Sequence, residues 1–173
     1  SEYMVAVWLM LLKKLHSYRD AQPAGAWTDL GPVASAWNST VLVLGLGDIG
    51  GEFAKRAKAL GARVIGVRRA GVDKPDFVDA LIHTDRLDEY LPQADCVAIT
   101  LPGTAQTRNM FDAARIAKMK DGAILLNVGR GTIVDAAALC AAPERGKLAG
   151  AALDVTDPEP LPADHPLWKQ KNA

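Results

Sequence analysis

The chain has 173 residues, 49% of them apolar and 23% charged, with 20 basic and 20 acidic side chains. That length and balance describe one soluble domain with a sizeable core, and they exclude a disordered chain. A formal net charge of zero gives no general pull toward nucleic acid or an anionic membrane surface, so neither is expected as a partner.

The chain opens on Ser-Glu without an initiator Met, and the reading is a piece of a longer cytoplasmic protein. The apolar run "YMVAVWLMLL" at residues 3–12 is shorter than the roughly 20 residues that span a bilayer, and it lacks the flanks of a leader. Residues 1–20, without Gly or Pro, are predicted to form one helix whose apolar surface runs most of the way round. A Gly/Pro-punctuated connector follows, carrying Trp27 and Trp37.

Beyond it, short apolar runs alternate with helical stretches. Strands are expected at residues 41–44, 63–67, 95–101, 123–128 and 149–155, with a minor one near 81–83. Helices are expected at 50–60, 87–91, 112–118 and 135–142, the last ended a turn early by Pro143. Uniformly apolar strands between amphipathic helices predict the α/β class: a Rossmann-like, doubly wound parallel sheet with helices on both faces. The tail "DPEPLPADHPLW" is too rich in proline for helix or central strand and is read as an ordered arm or a linker. The chain thus divides into a helix and connector (1–38), a dinucleotide-binding domain (39–157) and a proline-rich arm (158–173). Cys96 and Cys140 have no metal-ligand spacing, so no metal site is expected and both are read as thiols in a reducing compartment.

Gly45, Gly47 and Gly50 fit G-x-G-x-x-G between a strand and a helix, with a second strand about twenty residues on. In such a unit the first Gly allows the tight turn and the second admits a pyrophosphate. The third lets the helix pack against the strand, and free N–H groups at the helix start favour an anion. Asp48 and Ile49 belong to the same candidate cofactor-binding turn. A tight βα turn without a ligand is the plainer alternative.

An NAD site places an acid at the end of the second strand, whereas "VIGVRR" places Arg68 there and Arg69 beside it. A guanidinium binds a 2′-phosphate that a carboxylate would repel, so NADP is favoured over NAD. Two solvated arginines would instead leave the turn open to either cofactor.

Three further stretches, "LPGTAQTRNMF", "MKDGAILLNVGRGTIVD" and "AGAALDVTDPEPLPADHPLW", resemble the D-isomer-specific 2-hydroxyacid dehydrogenases, particularly the glyoxylate/hydroxypyruvate reductase-like members. The resemblance covers nearly the whole chain. It implies that Arg130 binds the substrate's carboxylate and carbonyl, and that Glu159 pairs with a catalytic histidine. It implies that Asp154 hydrogen-bonds the nicotinamide carboxamide, that Leu101, Pro102 and Thr107 flank the adenosine, and that Val128 and Gly129 form the turn under the nicotinamide ribose. The expected activity is hydride transfer between NAD(P)H and a small 2-oxoacid, in a homodimer built on the first helix and the loop after it. By the same resemblance the histidine and the substrate domain lie outside this chain, which alone is expected to hold cofactor and turn over nothing. His16, His83 and His165 match no family acid. "DVTD" replaces the "DVFE" of many relatives, a tolerated change. A dinucleotide-sensing, corepressor-like module of the same fold is the alternative function. A flavin or other nucleotide binder is disfavoured by "NVGRG" and "DPEP".

Overall fold

The computed structural model describes residues 1–69, 73–144, 147–170 and 172. Six strands form one wholly parallel sheet: β1 (Thr40–Leu44), β2 (Arg63–Arg68), β3 (Ala80–His83), β4 (Cys96–Ile99), β5 (Ala123–Asn127) and β6 (Leu148–Leu153). Their order is β3-β2-β1-β4-β5-β6. The chain therefore winds outward one way from β1, returns, and winds the other way from β4, which opens a crevice where the order reverses.

Strand composition dictates the layering. Successive side chains of β1 point to opposite faces, and both faces are apolar. Val41 and Val43 join a core with Phe53, Ala54 and Ala57 of α3 (Asp48–Ala59) and with Met4, Trp8, Leu11 and Leu12 of α1 (Glu2–Leu12). Leu42 and Leu44 join a second core with α4 (Leu87–Tyr90), α5 (Ala113–Lys118) and α6 (Ala136–Glu144). Burial on both faces is why these strands read as continuous apolar runs rather than alternating ones. Trp8 and Phe53 meet edge-on, ring centroids 5.8 Å apart, and lock α1 to α3.

Two sequence expectations are corrected. The first helix is not continuous: Lys14 adopts a left-handed conformation (φ 54°) and a separate α2 (Leu15–Ala21) follows. Both lysines at the break reach the connector, Lys13 Nζ donating to the Ala34 carbonyl (2.8 Å) and Lys14 Nζ to that of Leu30. These contacts to a segment about twenty residues away favour the break. Pro143 does not stop α6, which runs on to Glu144. A proline in the last turn forfeits one N–H bond and leaves the rest of the helix intact.

The proline-rich tail is an ordered arm. It ends in a 3-10 turn (Pro166–Lys169) capped by His165, whose Nδ1 accepts from the Leu167 N–H at 3.2 Å. Leu167 is buried in the second core. Among the described residues no helix is long and apolar enough to cross a membrane.

Candidate cofactor and substrate site

The candidate residues gather at the carboxyl ends of the strands, on both sides of the β1–β4 reversal. β1 ends in Gly45, whose φ of +91° suits glycine. Gly47 then starts α3 without any side-chain cap, which leaves first-turn N–H groups open to an anion. Nothing lies within 4 Å of where a Gly47 Cβ would stand, so this stretch of backbone is accessible. Asp48 and Ile49 are exposed in the first helical turn, and Gly50 is buried. A Cβ on Gly50 would lie 2.0 Å from the Gly45 carbonyl oxygen and 2.5 Å from Thr100 Oγ1.

Thr100 is a residue the sequence reading missed. Following β4, its hydroxyl lies 3.0 Å from the Leu44 carbonyl oxygen and 2.9 Å from that of Gly45. It ties the glycine turn to the strand across the reversal. A threonine closing an apolar run before "LPG" was the available signal.

A cleft of about 170 Å³ opens between Gly45, Val67, Arg68, Arg69, Thr84 and Leu101. Arg68 is the last residue of β2 and is half-buried, with Nη2 donating to the Leu46 carbonyl at 2.7 Å. Its guanidinium therefore already lies against the glycine turn. Arg69 is exposed and has no ion-pair partner among the described residues. A larger cavity, about 610 Å³, lies at the opposite end of the sheet between the connector and Asp95, Lys120 and Ile124; it contains none of the motif residues.

On the other side of the reversal, Leu101 and Pro102 begin a loop that Thr107 closes. The Thr107 hydroxyl donates to the Pro102 carbonyl (2.8 Å) and accepts from the Thr104 N–H (2.8 Å). Thr107 is buried, and its hydroxyl is occupied by the loop's own backbone.

Beyond β5, Asn127 organises the next turn. It is fully buried; its amide accepts from the Gly129 N–H (3.1 Å) and donates to the Arg130 carbonyl (3.0 Å). This too was missed, although a polar residue ending the run "AILL" marks it. Val128 packs against the first core. The glycines on either side of Arg130 are explained by the protein's own chain. A Cβ on Gly129 would lie 2.5 Å from the Leu101 carbonyl oxygen, and one on Gly131 2.0 Å from the carbonyl of Thr156. Arg130 is thus fixed between the Leu101 loop and the start of the arm. Its side chain is exposed, with Nη1 donating to the Gly129 carbonyl at 2.7 Å.

Asp154 follows β6, its N–H donating to the Asn127 carbonyl (3.0 Å), and its side chain is exposed. Glu159 is exposed on the arm. The structure brings Arg130 against the root of that arm through Gly131 and Thr156, and no hydrogen bond joins Arg130 to Glu159 among the described residues.

The model of the D-isomer specific 2-hydroxyacid dehydrogenase NAD-binding domain matches residues 5–173. The chain belongs to this family. Within it, the chain is similar to a glyoxylate/hydroxypyruvate reductase B from Salmonella newport, 35% identical over 181 residues that cover 99% of this chain and 54% of the relative. Among solved structures, a D-isomer specific 2-hydroxyacid dehydrogenase family protein from Aeromonas salmonicida is 40% identical with a TM-score of 0.90, covering 99% of this chain and 55% of that one. An NADPH-dependent glyoxylate/hydroxypyruvate reductase from Sinorhizobium meliloti, in complex with NADP and sulfate, is 30% identical with a TM-score of 0.89, covering 99% and 55%. The chain spans about half the length of the curated relatives it matches.

Proposed function

We propose that this chain is the cofactor-binding part of an NADPH-preferring reductase of small 2-oxoacids of the glyoxylate or hydroxypyruvate class. The observation that carries the reading is the position of Arg68 and Arg69. Both line the same cleft as Gly45, where an NAD enzyme would present a carboxylate. The names of the Salmonella and Sinorhizobium relatives support the substrate class, and the NADP complex of the latter supports the cofactor.

In this reading Gly45, Gly47 and Gly50, with Asp48 and Ile49 opening the helix, hold the pyrophosphate at the uncapped start of α3. Arg68 and Arg69 bind the 2′-phosphate through charge-assisted hydrogen bonds. Leu101 and Pro102, braced by Thr107, flank the adenosine; Val128 and Gly129 support the nicotinamide ribose, and Asp154 accepts from the carboxamide. When bound, the nicotinamide supplies the hydride. Arg130 binds the oxoacid carboxylate and stabilises charge developing on the carbonyl oxygen, a task for a fixed guanidinium. Glu159 keeps the family's histidine protonated as general acid. Whole-protein assembly is a cytoplasmic homodimer through α1, α2 and the connector, where Leu15, Tyr18 and Trp27 are exposed.

Calorimetric titration tests the cofactor class. The expected result is a one-to-one complex with NADPH and none with FMN. Binding of FMN, or of neither ligand, contradicts the reading.

A further inference from the structure

Beside the carboxyl end of β2 lies a strand end that takes no part in the site above. β3 runs parallel to β2, with Leu81 opposite Gly66 and His83 opposite Arg68. A Cβ on Gly66 would meet Leu46 Cδ1 (2.5 Å) and Leu81 Cδ1 (3.2 Å), so Gly66 and Leu81 share the face of the sheet that α3 covers. Two residues on, strand alternation returns Arg68 and His83 to that same face. Arg68 Nη2 reaches the Leu46 carbonyl there at 2.7 Å. Paired strands lie about 4.8 Å apart, so the two side chains rise from adjacent strand ends. Thr84 ties the ends together: its hydroxyl donates to the Arg68 carbonyl (3.2 Å), and it lines the cleft with Arg68, Arg69 and Gly45.

His83 is exposed, and its Nδ1 lies 2.8 Å from Asp85 Oδ1. An acceptor at Nδ1 favours the ring proton on that side. The neutral ring then leaves Nε2 as an acceptor, and only the protonated ring offers a second N–H. The charged groups around it come from three elements. Arg68 and Arg69 end β2; Asp85 and Arg86 follow His83 on its own turn, Arg86 bonded to Glu89 (2.7 Å). α3 presents Asp48 in its first turn and then Glu52, itself paired with Lys55 (2.6 Å) and Arg56 (2.6 Å). Two guanidiniums and an imidazolium repel one another, and a bound phosphate removes that repulsion. Proton uptake by the ring and phosphate binding therefore favour each other.

We propose that His83 is a third 2′-phosphate-binding residue, engaging in its protonated form and making the preference for NADP over NAD rise as pH falls. The inference rests on the arginine reading above and adds to it a residue of the neighbouring strand.

The test is the ratio of NADP⁺ to NAD⁺ affinity, titrated calorimetrically in low salt at about pH 8.5 and about pH 6.5, which bracket the charge change of imidazole. Dividing by the NAD⁺ affinity removes what the two ligands share. From the higher to the lower pH the ratio is expected to rise about 3- to 5-fold, the size of an exposed ion pair. It should stay level or fall in His83→Gln, which keeps His16 and His165. Protonation of the phosphate itself, near pH 6, weakens binding and so acts in the opposite direction. Asp85→Asn should reduce the rise. A ratio that is flat or falling in the unaltered chain, or a rise that survives His83→Gln, overturns the proposal, while a preference for NADP⁺ at the higher pH leaves the arginine reading standing. No preference at the higher pH overturns both.

Discussion

Gly50 stands so close to Gly45 that a single Cβ between them would lie 2.0 Å from the Gly45 carbonyl oxygen. The first and third glycines of the turn are therefore bound to each other by packing, with Thr100 beneath both. Gly47 is different: it has an ordinary φ of −73° and open space where a side chain would stand. One motif thus contains two positions that serve the fold and one that leaves room for a ligand.

That difference is measurable. Gly50→Ala should cost about 1–3 kcal/mol of stability, because the clash is with backbone rather than with a flexible side chain. Gly47→Ala should stay within about 0.5 kcal/mol of the unaltered chain and still weaken NADPH binding. Thermal melts with and without NADPH separate the two effects.

The Arg130 turn depends on Asn127. Asn127→Ala removes the buried amide that joins the Gly129 N–H to the Arg130 carbonyl, leaving one donor and one acceptor without their partner. A loss of about 1–3 kcal/mol is expected. Denaturant unfolding reads it directly.

Acid should destabilise the fold through two paired carboxylates. Asp79 accepts from Lys58 Nζ (2.8 Å) and the Val64 N–H (2.8 Å), and those contacts hold its carboxyl below the ordinary range. Asp88, bonded to Lys118 (2.6 Å) and Arg115 (2.7 Å), is held down likewise. A carboxyl depressed in the folded state contributes stability above its unfolded value, about 4, and loses it as pH falls through the folded value. The melting temperature should therefore be level near neutrality and fall below about pH 4. Asp88→Asn should lower it at neutral pH and shrink the acid-dependent fall.

Much of the fold was legible in the sequence. The apolar run at 41–44 is β1 extended by Thr40, and the minor strand at 81–83 is β3 extended by Ala80. Burial on both faces makes β1 conspicuous, whereas β3, with only Ile82 buried, is the weaker signal. The break at Lys13–Lys14 was not legible, because its partners, the Ala34 and Leu30 carbonyls, are brought there only by the fold. Thr100 and Asn127 escaped notice for the same reason, since a buried polar side chain declares itself only with its partners. The glycines beside Arg130 were conspicuous, yet what they accommodate, the Leu101 and Thr156 backbones, is a tertiary fact. Glycine-turn chemistry follows from residue spacing, whereas the roles given to Arg130, Asp154 and Glu159 came from family resemblance.

Assembly offers its own check. Trp27 is fully exposed, near Tyr18 on the same surface. The chain should sediment as a dimer, and Trp27→Ser with Leu15→Asp should shift it toward monomer without changing its melting temperature by more than a few degrees. An unaltered chain that sediments as a monomer contradicts the dimer.

If Arg68 and Arg69 read a 2′-phosphate beside the glycine turn, the ratio of NADPH to NADH affinity reports it most directly, measured calorimetrically on the unaltered chain and on Arg68→Asp with Arg69→Ala. At least a tenfold preference for NADPH, worth about 1.4 kcal/mol, and its reversal in the double variant are the predicted results. Equal affinities in the unaltered chain would contradict it and make both arginines solvated bystanders.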